Sequence, residues 1–134
     1  MLRARGAAHT AGMHIYLVED STMVRERLEA LLAEVPGAQI VGRAAGAAEA
    51  VKGILEARPD LVVLDVQLAE GSGFDVLREL HARAPELDVF MLTNYSADPY
   101  RQIASRFGAR QFFDKSREFE RVRDAVAERA ARLI

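Results

Sequence analysis

Short apolar runs and amphipathic stretches alternate five times along this chain. Met13 to Val18 reads as a strand, and Val24, Leu28, Leu31, Leu32 and Val35 then form one apolar stripe on a helix from about Ser21 to Glu34, ended by Pro36-Gly37. Gln39 to Gly42 is a second, short strand. Ala47 to Ala57 is a helix with Val51, Ile54 and Leu55 inward, broken by Arg58-Pro59-Asp60. Leu61 to Asp65 is apolar until its last residue rather than alternating, the mark of a strand covered on both faces. The loop Glu70-Gly71-Ser72-Gly73 leads into a helix from Phe74 to about Ala84, where Ser72 and Asp75 have capping-box spacing, and Pro85 marks the exit. Asp88 to Leu92 is the fourth strand. Asp98-Pro99 predicts an N-cap followed by proline at the first helical position, with Tyr100, Ile103, Ala104 and Phe107 on one face up to Gly108. Arg110 to Phe113 is the fifth strand, and a last helix from about Arg117 to Leu133 turns Phe119, Val122, Val126 and Leu133 to the sheet.

The pattern is (βα)₅, an α/β fold in which right-handed crossovers place helices on both faces of one parallel sheet. The chain has 134 residues, enough for one domain with a real core. That domain is expected over 13–134, with 1–12 a flexible N-terminal extension lacking the apolar segment of a secretory signal. Eighteen basic against 20 acidic residues give a net charge of −2, which exerts no global pull on nucleic acid or an anionic membrane. Cysteine is absent, which suits a reducing, cytoplasmic setting and excludes thiolate metal sites, and the three histidines lack ligand spacing. No apolar run approaches the roughly 20 residues needed to span a bilayer. The arginines after residue 116 are interspersed with acids and read as a solvated face, not a DNA-binding stripe.

Asp65 is the anomaly, a carboxylate closing a buried strand, and such a charge is costly unless something binds it. Three other strand ends offer partners: Glu19-Asp20 after the first strand, Thr93 after the fourth and Lys115 after the fifth. In an open parallel sheet ligands sit beyond the carboxyl ends of the strands, so these residues are expected to share one site. Three converging carboxylates repel one another unless a hard cation sits among them, and Mg²⁺ is the natural candidate. Asp65 would then be a nucleophile toward a phosphoryl group, with Lys115 and Thr93 facing its oxygens. Singly, Asp20 could cap a helix, Thr93 be a β-former and Lys115 a surface charge. Only their common edge makes the functional reading the better one.

These five residues, at four separated strand ends and in this order, resemble the signature of the response-regulator receiver domain of two-component phosphorelays, a likeness covering about 13–133. The resemblance implies a flavodoxin-like doubly wound sheet of order 2-1-3-4-5. It implies phosphorylation of Asp65 by a sensor histidine kinase or histidine phosphotransfer protein, with Mg²⁺ held by Asp20, Asp65 and the backbone carbonyl of Gln67, and by Glu19 through water. It also implies a switch in which Thr93 moves and Phe112, standing three before Lys115, follows, changing partner binding on the face of the fourth helix, fifth strand and fifth helix. Such a chain is a signalling domain rather than an enzyme, a stand-alone receiver or part of a larger regulator, with an output partner the sequence does not name. Homodimers through that face are common in the family, although no apolar patch legible here requires one.

Some positions depart from the family's commonest pattern. Ala69 stands where the loop after Asp65 often has proline, which predicts a more mobile loop, and Ser116 stands where a cis proline often follows the lysine; a cis Lys-Ser bond costs about 3 kcal/mol, and sequence leaves open whether it forms here. Asn94 is larger than usual. Gln67 and Tyr95 stand at positions that in the family line the path of the attacking water, so the resemblance implies that bulk at Tyr95 slows dephosphorylation. Competing readings are a haloacid-dehalogenase-like phosphatase, which would want a second Asp where Gln67 stands; a flavin-binding domain, whose phosphate the acidic Glu19-Asp20 would repel; and a receiver-like scaffold that is not phosphorylated.

Overall fold

A computed structural model describes residues 12–132; the expected flexible extension and the inward Leu133 lie outside the described residues, apart from Gly12. The strands are β1 (Met13–Val18), β2 (Ala38–Ala44), β3 (Leu61–Leu64), β4 (Asp88–Thr93) and β5 (Gln111–Asp114). The helices are α1 (Thr22–Leu32), α2 (Ala47–Ala57), α3 (Gly73–Arg83), α4 (Asp98–Arg106) and α5 (Arg121–Ala131). All strands run parallel in the order β2-β1-β3-β4-β5. The chain turns outward to β2 and then back past β1 to β3, so the order reverses between β1 and β3 and a crevice opens beyond their carboxyl ends.

The two-residue period of the strands splits the core into two layers. Val62 and Leu64 pack with Tyr16, Ile54, Leu77, Leu80 and Met91 on the face covered by α2 and α3. Leu61 and Val63 pack with Ile15, Leu28, Phe90, Val122 and Val126 under α1 and α5. Each buried aliphatic or Phe side chain contributes about 1.5–3 kcal/mol, so β3, buried at all four positions, is the axis of the fold. Phe113 is core and Phe112 half-buried on the opposite layer, the alternation expected of neighbouring strand residues.

Tyr16 distorts its surroundings. Opposite it β2 slips by one residue, pairing Ile15 with Ile40 but Tyr16 with Gly42. A Cβ at Gly42 would lie 2.2 Å from the Tyr16 ring, and one at Gly53 of α2 would lie 2.1 Å from its hydroxyl oxygen. Two glycines thus make room for one phenol, whose O–H donates to the Arg43 carbonyl at 3.3 Å.

Several local details differ from expectation, some of them through a local hydrogen bond. Ser21, not Asp20, caps α1, its Oγ accepting from Val24 N–H. Ser72 caps α3 by accepting from Phe74 N–H, but Asp75 pairs with Arg78 at 2.7 Å, so no reciprocal capping box forms. Ala97, not Asp98, is the N-cap of α4. On that helix only Ala104 is fully buried, while Tyr100 and Ile103 are each 37% exposed, so the stripe assigned inward is partly a surface. The last helix begins at Arg121 rather than Arg117, because the Asp114 carboxylate accepts from Ser116 and Arg117 N–H and holds the chain in turns. Phe119 is buried ahead of that helix, with the Arg27 guanidinium 4.0 Å above its ring.

Candidate functional site at the carboxyl edge of the sheet

The sheet ladder continues one residue past the strands and sets the height of each functional side chain. Glu19 N–H donates to Ala44 O at 3.0 Å, Asp65 N–H to Val18 O at 3.0 Å, and Lys115 N–H to Thr93 O at 2.9 Å. Their side chains, with those of Asp20, Gln67, Thr93, Asn94 and Tyr95, line a cavity of about 220 Å³. Larger hollows of about 630 and 550 Å³ lie elsewhere, between α2 and α3 and near Arg58, but neither gathers this acid, hydroxyl and amine set.

Lys115 is the hub. Its ammonium donates to Asp65 Oδ2 at 2.7 Å and Glu19 Oε1 at 2.8 Å. Burial alone would lower its pKa, but the two carboxylates outweigh burial and hold it above the usual lysine value. Burial pushes Glu19 above the ordinary glutamate range, against the bonds from Lys115 and Ser21 N–H that favour its charge. The second oxygens are also engaged, Asp65 Oδ1 by Val66 N–H at 2.7 Å and Glu19 Oε2 by Ser21 N–H at 3.0 Å. Asp20 is exposed, and one oxygen from each of Glu19, Asp20 and Asp65 lies within 4.8 Å of the others. One ammonium pairs with two of these three carboxylates, and the cluster is a donor set suited to a small hard cation.

Thr93 is buried and its Oγ1 accepts from Tyr95 N–H at 3.1 Å. Tyr95 reaches across the cavity mouth, its O–H donating to Gln67 Oε1 at 3.1 Å, and its ring leans on Tyr100, which stacks on Phe74. The loop after Asp65 is pinned without proline: Gly73 N–H bonds to Val66 O, Ala69 N–H to Ala45 O, and Glu70 accepts from Ala47 and Ala48 N–H at the start of α2. The mobility expected of that loop thus meets a set of anchors that sequence did not reveal. No cis peptide bond occurs among the described residues, so Lys115-Ser116 is trans.

A second polar cluster beside the cavity escaped the sequence reading. The Asp114 carboxylate accepts from Ser96 Oγ at 2.5 Å and from both Ser116 N–H and Oγ, and these bonds, the serine hydroxyls foremost, hold its pKa far below the usual range. The cue that singled out Asp65, an acid closing an apolar strand, was present at Asp114 as well. Phe112, the expected switch aromatic, has the Arg101 guanidinium 4.7 Å above its ring.

At the opposite edge Asp88 is buried between Arg129 at 2.6 Å and Arg110 at 3.1 Å. Arg129, assigned to a solvated face from sequence, is therefore an internal ion partner.

A doubly wound parallel sheet of order 2-1-3-4-5 with an acid cluster, a hydroxyl and an amine at its switch point defines the class of flavodoxin-like α/β domains with a polar site at the carboxyl edge. Within it, the family described as the response regulator receiver domain matches residues 15–127, and the chain belongs to that family. It is 42% identical over 84 residues to the DNA-binding transcriptional activator DevR/DosR of Mycobacterium tuberculosis, a match taking in 63% of this chain and 39% of that protein. The solved structure of a LuxR-family two-component response regulator from Aurantimonas sp. SI85-9A1 superposes with a TM-score of 0.83 at 28% identity, covering 90% of this chain and 86% of that one. The structure of the CheX-CheY-BeF₃-Mg²⁺ complex from Borrelia burgdorferi shares the fold, with a TM-score of 0.75 at 21% identity over 84% and 88% of the chains. The chain spans between about a third and a half of the curated relatives it matches, from 32% to 52%. Family membership displaces the phosphatase and flavin-binding readings. Among the described residues no helix is long and apolar enough to cross a membrane.

Proposed function

We propose that Asp65 is the phosphoacceptor of a cytoplasmic receiver unit over 13–134, and that its charge state controls partner binding. The observation carrying this is the Lys115 ammonium 2.7 Å from Asp65 and 2.8 Å from Glu19, with exposed Asp20 beside them. A carboxylate oxygen of Asp65 attacks the phosphorus of a phosphohistidine on a sensor kinase or phosphotransfer protein; the O–P bond forms as the P–N bond breaks, and the imidazole leaves with a proton from solvent. Asp20, Asp65 and the Gln67 carbonyl would hold Mg²⁺, with Glu19 acting through water. Bound Mg²⁺ would supply positive charge to the phosphoryl oxygens.

Lys115 then exchanges a carboxylate partner for a phosphoryl oxygen, and Thr93, giving up Tyr95 N–H, turns its hydroxyl to another. Phe112 fills the space Thr93 leaves, which changes the face of α4, β5 and α5 where Tyr100 and Ile103 are exposed. That face meets the output partner or a second copy of the chain. The chemistry is confined to gaining and losing one phosphoryl group, so the domain is a signalling module, and the intact acid, hydroxyl and amine set favours this over a silent scaffold.

Incubation with acetyl phosphate and Mg²⁺ followed by intact mass measurement tests the proposal. A gain of one phosphoryl group, absent in Asp65→Asn, is expected; no gain in the wild type, or a gain surviving in Asp65→Asn, refutes it. Followed over time, the adduct should decay faster in Tyr95→Ala, and equal decay would remove Tyr95 from the path of the attacking water.

A further inference from the structure

Arg101, in the first turns of α4, is the point where the moving parts of the proposed switch meet. Its Nε donates to the Ser96 carbonyl at 2.9 Å and its Nη1 to the Phe112 carbonyl at 3.4 Å. Its guanidinium lies 4.7 Å above the Phe112 ring, and Nη2 stands 3.6 Å from Glu118 Oε1. Glu118 in turn accepts from Asp114 N–H at 2.8 Å, beside Lys115. One planar cation thus ties together the loop after β4, the aromatic of β5 and the turn after β5.

We infer that Arg101 is a positioning residue, a latch that holds the unphosphorylated arrangement and sets how readily the domain switches; this rests on the reading of Asp65 as phosphoacceptor. Thr93 cannot turn toward Asp65 while its Oγ1 holds Tyr95 N–H, so the switch displaces the chain just after β4, which includes the Ser96 carbonyl that Arg101 grips. Phe112 cannot follow without sliding from beneath the guanidinium. Phe112 has no hydroxyl with which to fasten itself in either position, so the clasp must come from a neighbour. Arginine suits the task because it donates in its plane while its face covers a ring, which lysine cannot do together. The latch opposes activation, and by linkage whatever weakens it strengthens binding of a phosphoryl group at Asp65.

Beryllofluoride with saturating Mg²⁺, a stand-in for the phosphoryl group, supplies the test. Its affinity is followed through the amide signals of Thr93 and Lys115 by NMR. Arg101→Met, which keeps the aliphatic stem, should bind about tenfold more tightly than wild type, within the range of ordinary coupling between sites. Arg101→Lys should show a smaller gain, and in a Phe112→Leu background the gain from Arg101→Met should shrink. A merely structural arginine would lower thermal stability without raising affinity. If wild type binds and both variants bind equally or more weakly, the latch is wrong while the receiver reading stands. If wild type does not bind at all, the reading of Asp65 fails and the latch with it.

Discussion

Replacing Lys115 with methionine removes the ammonium that pairs with Glu19 and Asp65, the one cation at the acid cluster among the described residues, while keeping most of the volume. The side chains of Lys115, Glu19 and Asp65 are only 13%, 3% and 6% exposed, so water cannot fully substitute for the ammonium. Carboxylate oxygens within 4.8 Å of one another repel by about 3 kcal/mol at an effective dielectric constant near 20. Removing one partner of a buried pair costs about 3–5 kcal/mol, and the opening toward exposed Asp20 places this case at the lower end. Lys115→Met should therefore lose about 3 kcal/mol in chelator, roughly 10 °C in Tm for a domain of this size. Mg²⁺ should restore more stability to the variant than to wild type, because the ion replaces a missing charge in one and supplements a present charge in the other. Glu19 already has a raised pKa, so it binds its proton more tightly when folded; the deficit should narrow as pH falls and protonation relieves the repulsion. Thermal melts in chelator and across a Mg²⁺ titration provide the measurement. A loss below about 1 kcal/mol, the worth of a surface pair, or equal protection of both proteins by Mg²⁺, would refute the charge accounting.

Two further substitutions probe the frame. Gly53→Ala should gain up to about 1 kcal/mol in helix propensity but lose about 1–3 kcal/mol to overpacking, since the new methyl meets the Tyr16 hydroxyl at 2.1 Å. A lower denaturant midpoint is expected, recovered only in part in Tyr16→Phe/Gly53→Ala because the ring carbon Cζ stays 2.9 Å from the new methyl; a single variant at least as stable as wild type would show that α2 shifts freely. For Asp88→Asn, burial pushes the native carboxyl up, but Arg129 and Arg110 outweigh it and leave the pKa below the usual value. A depressed acid stabilises above its unfolded pKa of about 3.9 and loses that contribution as pH falls through the folded value. The variant should therefore be about 2 kcal/mol less stable from pH 5 to 8, with the gap closing below about pH 4. A gap unchanged at pH 2 would mean that packing, not charge, is at stake.

The sheet was legible because β3 is apolar throughout and the helical stripes carry heptad-like spacing, so local pattern and tertiary burial agree at Leu61 to Leu64 and at Leu28 to Leu32. The site was legible for a related reason: a charge ending a buried strand cannot be accommodated locally. Where sequence erred, a single hydrogen bond decided between near-equal local options: Ser21 ends up as the cap rather than the first helical residue of α1, and the Asp114 carboxylate delays the start of α5. The stripe on α4 misled because helical period shows which residues share a side, not whether a neighbour covers it; beside Phe74 and Tyr95, Tyr100 stacks without being buried. Arg101 and Arg129 were invisible because their partners lie on other elements, and a lone arginine has no pattern.

The two edges of the sheet manage buried acid in opposite ways, and the difference bears on which edge can switch. Asp88 has two arginines and a depressed pKa, so its charge is overcompensated and displacing it gains nothing. Glu19 and Asp65 share the Lys115 ammonium while Asp20 stands beside them with no ion pair among the described residues, so the carboxyl edge is undercompensated and open to any change in local charge. What holds the adjoining loop consists of Ser96 to Asp114, Tyr95 to Thr93 and Gln67, and the Arg101 clasp, each net about 1 kcal/mol. Carrying a population from 1:99 to 99:1 takes about 5.5 kcal/mol of differential binding. On the proposed reading, a restraint of that combined size keeps the unphosphorylated arrangement dominant and yields when the single charge of the Asp65 carboxylate is replaced by the roughly −1.5 to −2 of a phosphoryl group.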